Sequence, residues 1–292
     1  MEILVSILSG LLAIGTSVNL VGDILLKKAI RSQVEEVDKI AVRIDNAPNH
    51  DVLGGEVQRV RVATRGLKLS SVVTFKVLEL DLDRINVILR ELLDRDLFVD
   101  LDETPTIRLR QLFERPVRFA TRVVLTEKQL DTILQSETVN STLSNGLTEA
   151  LNRVYDDEFT ISSFTLDLKG NNRVSLKMKI PDTEGEYGEK GEVLDVDLEL
   201  SIRVVEGKNF EFFDQKVFIN GELVPPDTDI LLARPVYLRV LEEVGLKIRV
   251  LKLNSDEDDL ELALFVEADE FAASALLDAK EFLETLSVFL EQ

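Results

Sequence analysis

The sequence contains no cysteine and no tryptophan, and His50 is its single histidine among 292 residues. Without cysteine, the chain has no disulfide framework, no thiol nucleophile and no cysteine zinc site. A single histidine excludes a multi-histidine metal centre and leaves one candidate for a Ser-His-Asp triad. His50 lies in a turn-rich segment next to Asp51, which is typical of an exposed loop; a role as acid or base is the alternative. Composition alone therefore predicts a globular protein with few candidate catalytic residues and does not identify a function; we expect no metal and no cofactor.

Positive charge is scarce relative to negative charge: 34 Lys and Arg stand against 54 Asp and Glu, a net charge of −20. Residues 1–125 are neutral, so the whole excess belongs to residues 126–292. This balance argues against non-specific nucleic-acid binding, which needs net cation density. In the neutral part, Arg59, Arg61, Arg65 and Lys68 lie close together and could meet an anionic surface. The alternative is that these charges only form solvated faces.

Residues 3–26 form the longest apolar stretch and contain one charge, Asp23. The spacing of small and large residues predicts a helix. Glu2 and the lack of an early cation disfavour a signal peptide, and Asn19 and Asp23 weaken a membrane span. A membrane-surface helix, a helix docked in an apolar groove and a buried core helix remain open. We favour membrane association, peripheral or through an N-terminal anchor, with the following domain on the cytoplasmic side.

Strand patterns dominate the remainder of the chain. Apolar and polar residues alternate at 40–44, 60–62, 117–125, 174–180, 194–204 and 260–266. Such alternation predicts antiparallel sheet covered on one face, and Gly170-Asn171-Asn172 and Asn220-Gly221 are typical hairpin turns. A change of parity at Val77–Leu78 predicts a β-bulge, and hence a curved sheet.

Helical patterns are fewer. Thr126 and Gln129 form a capping box that opens a helix, and its apolar stripe continues after a break near Ser136 as far as Val154. Residues 84–94 are a second candidate, and the C-terminal stretch predicts an amphipathic acidic helix. The sequence thus predicts an α+β fold in which a curved antiparallel sheet wraps helices.

Three segments resemble the LmeA-like phospholipid-binding family: residues 42–48 (VRIDNAP), 55–67 (GEVQRVRVATRGL), and 123–130 (VVLTEKQL) with Leu134-Gln135-Ser136. Ile30-Arg31-Ser32-Gln33 is similar to versions from photosynthetic bacteria. The resemblance covers roughly residues 1–266. It implies the fold of tubular lipid-binding proteins. In that fold a strongly curved antiparallel sheet wraps a long helix and leaves an apolar tunnel for acyl chains. It also implies phospholipid binding without catalytic residues, and lipid transfer between membranes.

These expectations combine into one hypothesis. An apolar N-terminal helix (1–34), membrane-associating or docked, precedes a single lipid-binding-like domain (35–266) and a C-terminal amphipathic acidic helix (267–292). The partners are a phospholipid or other acyl lipid and a membrane surface, with no nucleic acid. The residues expected to line the acyl chains are Phe119, Leu134, Leu147, Phe164, Leu176, Val196 and Leu198. Those expected to contact headgroups or the membrane are Arg59, Arg61 and Arg65.

Two other function classes compete with this hypothesis. A scaffold or protein-interaction protein would have a filled core and would bind its partner through the acidic face and the C-terminal helix. A lipid hydrolase is disfavoured because the sequence has no nucleophile elbow and its single histidine is in a loop.

Overall fold

The structure, a computed structural model, describes residues 27–28, 30–31, 34–45, 56–86, 115–137, 139–141, 143–145, 148, 161, 163–181, 191–224, 236–238, 241–242 and 245–269. These residues fall into two compact units. The first lies within Met1–Val124, Leu238–Leu251 and Ala263–Leu286, and the second within Leu125–Tyr237, Lys252–Leu262 and Ser287–Gln292. Strands account for 67% of the described residues and helices for 14%.

The strands, in chain order, are β1 (Glu36–Asp45), β2 (Glu56–Val57), β3 (Arg59–Lys68), β4 (Thr74–Leu82), β5 (Ile85–Asn86), β6 (Val117–Thr126), β7 (Ser163–Gly170), β8 (Arg173–Pro181), β9 (Val193–Val205), β10 (Asn209–Ile219), β11 (Glu222–Leu223), β12 (Val236–Tyr237), β13 (Leu246–Ser255) and β14 (Asp259–Ala268). Helix α1 spans Glu127–Leu134. Every strand predicted by alternation is confirmed.

The first sheet has six strands in the order β1-β3-β4-β6-β14-β13. Val62 stands opposite Val42 and Leu80, whereas the adjacent Arg61 stands opposite Arg43 and Asp81. Because side chains alternate along a strand, this register collects apolar side chains on one face and charged ones on the other. On the apolar face, Ile40, Ile44, Val60, Val62 and Leu82 are buried, whereas Leu80 is only partly buried.

The second sheet has the order β11-β10-β9-β8-β7, with β12 also paired to β10. The predicted turn between β7 and β8 is confirmed, and Asn171 and Asn172 have φ of 53° and 58°. The turn between β10 and β11 is confirmed as well, with φ of 51° at Asn220 and 82° at Gly221. Two successive positive φ angles are the geometry that suits the twist of a tight hairpin, and asparagine and glycine tolerate it.

Two local predictions are wrong. The predicted bulge at Val77–Leu78 is not observed, because β4 keeps one register with β3 and with β6 throughout. Register shifts occur instead in β10 between Phe213 and Lys216 and in β7 between Leu168 and Gly170. The predicted helix over 84–94 does not begin there, since Ile85 and Asn86 form β5 and pair with β2; residues 87–94 lie outside the described residues.

The predicted α+β fold, with a strongly curved sheet wrapped around a long helix, is also wrong. Among the described residues there are only short helices and no long one. Helix α1 has the predicted capping box but ends after eight residues. The Ser136 backbone N–H and hydroxyl both donate to the carbonyl of Ile133, and the Ser136 carbonyl accepts from Asn140 N–H, which starts a separate helical segment. Serine breaks the ladder because its hydroxyl competes for backbone acceptors.

The predicted helices at the two ends of the chain lie almost wholly outside the described residues. Of residues 1–34, the structure describes 27–28 and 30–31, which are helical, and residue 34. Residues 270–292 are not described. The predicted domain boundaries at 34 and 266 therefore stay predictions.

Candidate functional site

Helix α1 lies along the outer edge of β7 and satisfies its free backbone groups with side chains. Asp131 Oδ1 accepts from Leu166 N–H at 3.3 Å, and Glu127 Oε2 accepts from Leu168 N–H at 2.8 Å. One helical turn further on, Gln135 Nε2 donates to the carbonyl of Phe164 at 2.6 Å. The contacts recur at every fourth helix residue and every second strand residue because both steps advance by about 6 Å. The helix thereby closes an edge that could otherwise pair with another chain.

The apolar side of the second sheet carries most of the predicted acyl-chain lining. Leu176 stands opposite Leu166 and Leu198, and Val196 stands opposite Met178 and Ile219. Phe164 and Leu198 form part of the buried cluster and are only 2% and 1% exposed. We call the partly buried residues packed around that cluster the apolar rim; it includes Leu134, Leu166, Leu176, Val196, Ile202 and Phe212.

The structure therefore brings together five of the seven predicted lining residues. These five differ in how exposed they are. Leu134, Leu176 and Val196 belong to the apolar rim, whereas Phe164 and Leu198 are covered by neighbouring side chains. Phe119 is partly buried in the first sheet, opposite Leu82 of β4. Leu147 lies outside the described residues. The lining roles of all seven residues stay predictions.

The charged side of the first sheet is a lattice of ion pairs that contains all three predicted arginines. We call it the arginine face. Asp45 pairs with Arg43 and Arg61, Glu79 with Arg65 and Arg122, Glu267 with Arg118 and Lys247, and Asp81 with Arg59. Seven cations thus meet four carboxylates, and three of the carboxylates are shared. The face has a net positive charge in a strongly acidic chain.

The cations also lie outermost on the arginine face. Their side chains are 39–69% exposed, whereas the four carboxylates are 20–35% exposed. Arg43 and Arg122 were not among the predicted site residues, because only the strand register shows that they flank Arg61 and Glu79. The alternation of Arg118 and Arg122 in β6 is the sequence signal that points to this face.

A shallow groove of about 460 Å³ crosses the arginine face. Its floor contains four alanines from different strands, Ala41, Ala63, Ala120 and Ala263. Ala41 and Ala63 stand directly opposite each other, so that no long side chain fills the space between the neighbouring arginines. Leu251, which is 63% exposed, lines the same groove.

The second sheet has a groove of about 560 Å³ with a different charge pattern. Asp195, Asp197 and Glu199 line it together with Lys177 and Lys179. The Lys177 ammonium, held by Asp167, keeps the pKa of that carboxyl below its ordinary value. The lining of this groove therefore carries no excess of cations.

The carboxylates of the arginine face predict how stability depends on pH. Hydrogen bonds from Arg61 to Asp45, from Arg65 to Glu79 and from Lys247 to Glu267 hold the pKa of each carboxyl below its ordinary value. These carboxyl groups are protonated more readily in the unfolded chain than in the folded chain. The ion pairs therefore stabilise the fold above the unfolded pKa values of about 4. This stabilisation is lost as the pH falls through the lower pKa values of the folded chain. Urea unfolding measured between neutral pH and pH about 3 should show the decline. Glu79→Gln should flatten it, and an unchanged slope in that variant would contradict the assignment.

In the parts of the chain that the structure describes, no group of three or more Asp, Glu or His side chains is placed to hold a metal ion. No helix within these same parts has both the length and the apolar composition needed to cross a membrane.

Comparison with known proteins gives one match. No curated protein and no solved structure matches the chain. The family model described as LmeA-like phospholipid-binding matches residues 21–265, a span that includes the whole apolar rim and every residue of the arginine face except Glu267. Since the match covers most of the sequence, the chain belongs to the LmeA-like phospholipid-binding family.

Proposed function

We propose that the chain binds phospholipid without catalysis, that the acyl chains lie against the apolar rim of the second sheet, and that the protein carries lipid between membranes. The observation that supports this most directly is the apolar rim itself. Leu134, Leu176 and Val196 pack against the same buried cluster, and their hydrocarbon surface is only partly covered. The protein associates with the membrane peripherally in this proposal.

The chemistry of the rim suits a hydrocarbon ligand. Leucine and valine side chains have no hydrogen-bonding group that an acyl chain would leave unsatisfied. Each methylene removed from water contributes about 0.8 kcal/mol, so part of one long chain gives appreciable affinity. The well-packed cluster beneath the rim, with Phe164 and Leu198 at its centre, provides a rigid floor.

The second candidate is a scaffold with a filled core. The near-complete burial of Phe164 and Leu198 favours it, because neighbouring side chains already cover these two predicted lining residues. The two candidates differ in whether the rim contacts lipid or only solvent and protein.

Larger side chains in the apolar rim would distinguish the lipid-binding function from the scaffold function. Leu176→Phe combined with Val196→Phe adds apolar volume where the acyl chain would lie and introduces no polar atom. If it displaces about two methylenes, affinity for a fluorescent phospholipid should fall about ten-fold in an uptake assay. The matched control is Leu223→Phe with Val193→Phe, since both residues are exposed in the same unit and outside the rim.

Native mass spectrometry of gently purified protein should also show bound phospholipid, and transfer of labelled lipid from donor to acceptor vesicles should require the rim. Protein that carries no lipid, takes none up and transfers none would refute the proposal and leave the scaffold. Equal uptake by the rim variant, its control and the wild type would place the acyl chains elsewhere.

A further inference from the structure

We propose that the arginine face is the surface with which the protein docks onto an anionic phospholipid bilayer. The inference rests on the proposed function for the choice of a lipid partner, but it concerns a different surface from the rim. The occupant is the outer layer of phosphate and carboxylate headgroups of the bilayer.

Charge complementarity is the first argument. A chain of net charge −20 is repelled from an anionic bilayer unless it presents a locally positive face. The arginine face is such a face, because three of its carboxylates are each shared by two cations. Asp83, just after β4, adds one negative charge, and Lys39 of β1 adds one positive charge, so the excess is unchanged.

The layering of the charges is the second argument. Because the cationic side chains are more exposed than the carboxylates that hold them, an approaching surface meets the cations first. The six guanidinium groups and one ammonium group of this face have more N–H donors than its four carboxylates can accept, and phosphate oxygens are well suited to accept from guanidinium groups.

Shape is the third argument. The alanine floor lets headgroups enter between the arginines, and the guanidinium groups can reach them from both walls. The exposed Leu251 gives the same groove an apolar side chain that can enter the interfacial region of the bilayer. The corresponding groove of the second sheet has three carboxylates and two lysines, and so lacks the positive excess.

The test is co-sedimentation of the full chain with vesicles of phosphatidylcholine alone or with about one third phosphatidylserine, a composition with a negative surface potential. We expect binding to the anionic vesicles that weakens as salt rises from about 0.05 to about 0.5 M. Each basic side chain near such a surface raises affinity about five-fold. Arg59→Gln, Arg61→Gln and Arg65→Gln together should lower affinity about ten- to a hundred-fold, since the partner carboxylates offset part of each gain.

The matched control removes three cations from the second sheet: Lys177→Gln, Lys179→Gln and Arg203→Gln. This variant lowers the total charge by the same three units as the arginine variant, and its affinity for anionic vesicles should stay within about two-fold of the wild type. The triple Arg→Lys variant at 59, 61 and 65 preserves charge and should also bind. If the glutamine variant fails to fold, Asp45→Asn with Asp81→Asn provides the test in the opposite direction, because a more positive face should bind more tightly.

Three results would overturn the proposal: equal losses in the two glutamine variants, equal salt-independent binding to both vesicle types, or no vesicle binding together with a salt-sensitive dimer in sedimentation velocity. The last result would identify a second copy of the chain as the occupant. Normal uptake of phospholipid monomers by a protein that does not dock would refute this inference alone, and docking without uptake would refute only the proposed function.

Discussion

Replacing Phe164 with alanine is expected to lower the free energy of unfolding by about 3–5 kcal/mol. Phe164 is among the largest fully buried side chains, and it lies in β7 within the cluster that contains Leu198. Truncation removes the burial of a whole aromatic ring and leaves a cavity, because the surrounding strands cannot close over it. Urea unfolding followed by circular dichroism would measure the loss.

Phe213→Ala is the control, because Phe213 is in the same unit but only partly buried. Its ring lies 5.0 Å from the guanidinium carbon of Arg203, a contact that contributes about 0.5–1 kcal/mol at such a site. Equal losses in the two variants would mean that the cluster around Phe164 is not the centre of the second unit. A large loss that phospholipid reverses would instead indicate that an acyl chain can fill the vacated space.

Removing the side chains that close the edge of β7 is expected to cost about 2–4 kcal/mol. Glu127→Ala with Asp131→Ala leaves the N–H groups of Leu166 and Leu168 without their acceptors, and each buried unsatisfied donor costs about 1–3 kcal/mol. The exposed edge should also promote association between molecules. Urea unfolding and light scattering measure the two effects.

Lys128→Ala with Thr132→Ala is the matched control. It has the same spacing in α1, but these exposed side chains make no bond to β7 among the described contacts; the Thr132 hydroxyl donates to the carbonyl of Lys128. We expect a change within about 0.5 kcal/mol. If this control destabilises the protein as much as the edge variant, the loss comes from helix α1 as a whole and not from the edge contacts.

The strands could be predicted because their information is local. Alternation along β9, from Leu194 to Val204, fixes which side chains share a face before any partner strand is known. The capping box of Thr126 and Gln129 is equally local, and both of its hydrogen bonds are present. The turns at Asn171-Asn172 and Asn220-Gly221 follow from the residues that accept positive φ.

Local sequence patterns could not show whether the chain forms a long helix. The predicted break near Ser136 is confirmed, but the apolar stripe continues beyond it, and a stripe alone does not show whether the two segments form one long helix. The outcome depends on Ser136 bonding to Ile133 and on Gln135 reaching the carbonyl of Phe164, a residue 29 positions away. The fold implied by the resemblance carried the same error, because it includes a long helix, whereas the residues that the structure describes contain only short ones.

The sequence by itself determined the residue inventory, with no cysteine and a single histidine, together with the strands, their faces and the phospholipid-binding family. It also determined that the acidic excess lies beyond residue 125. Only the tertiary structure decided which strands are neighbours, and therefore that Arg43, Arg61 and Asp45 share one lattice while Leu176 and Val196 remain partly uncovered. The physical reason is that a strand's periodicity specifies its two faces, whereas the net charge and exposure of a face depend on side chains brought together from distant strands.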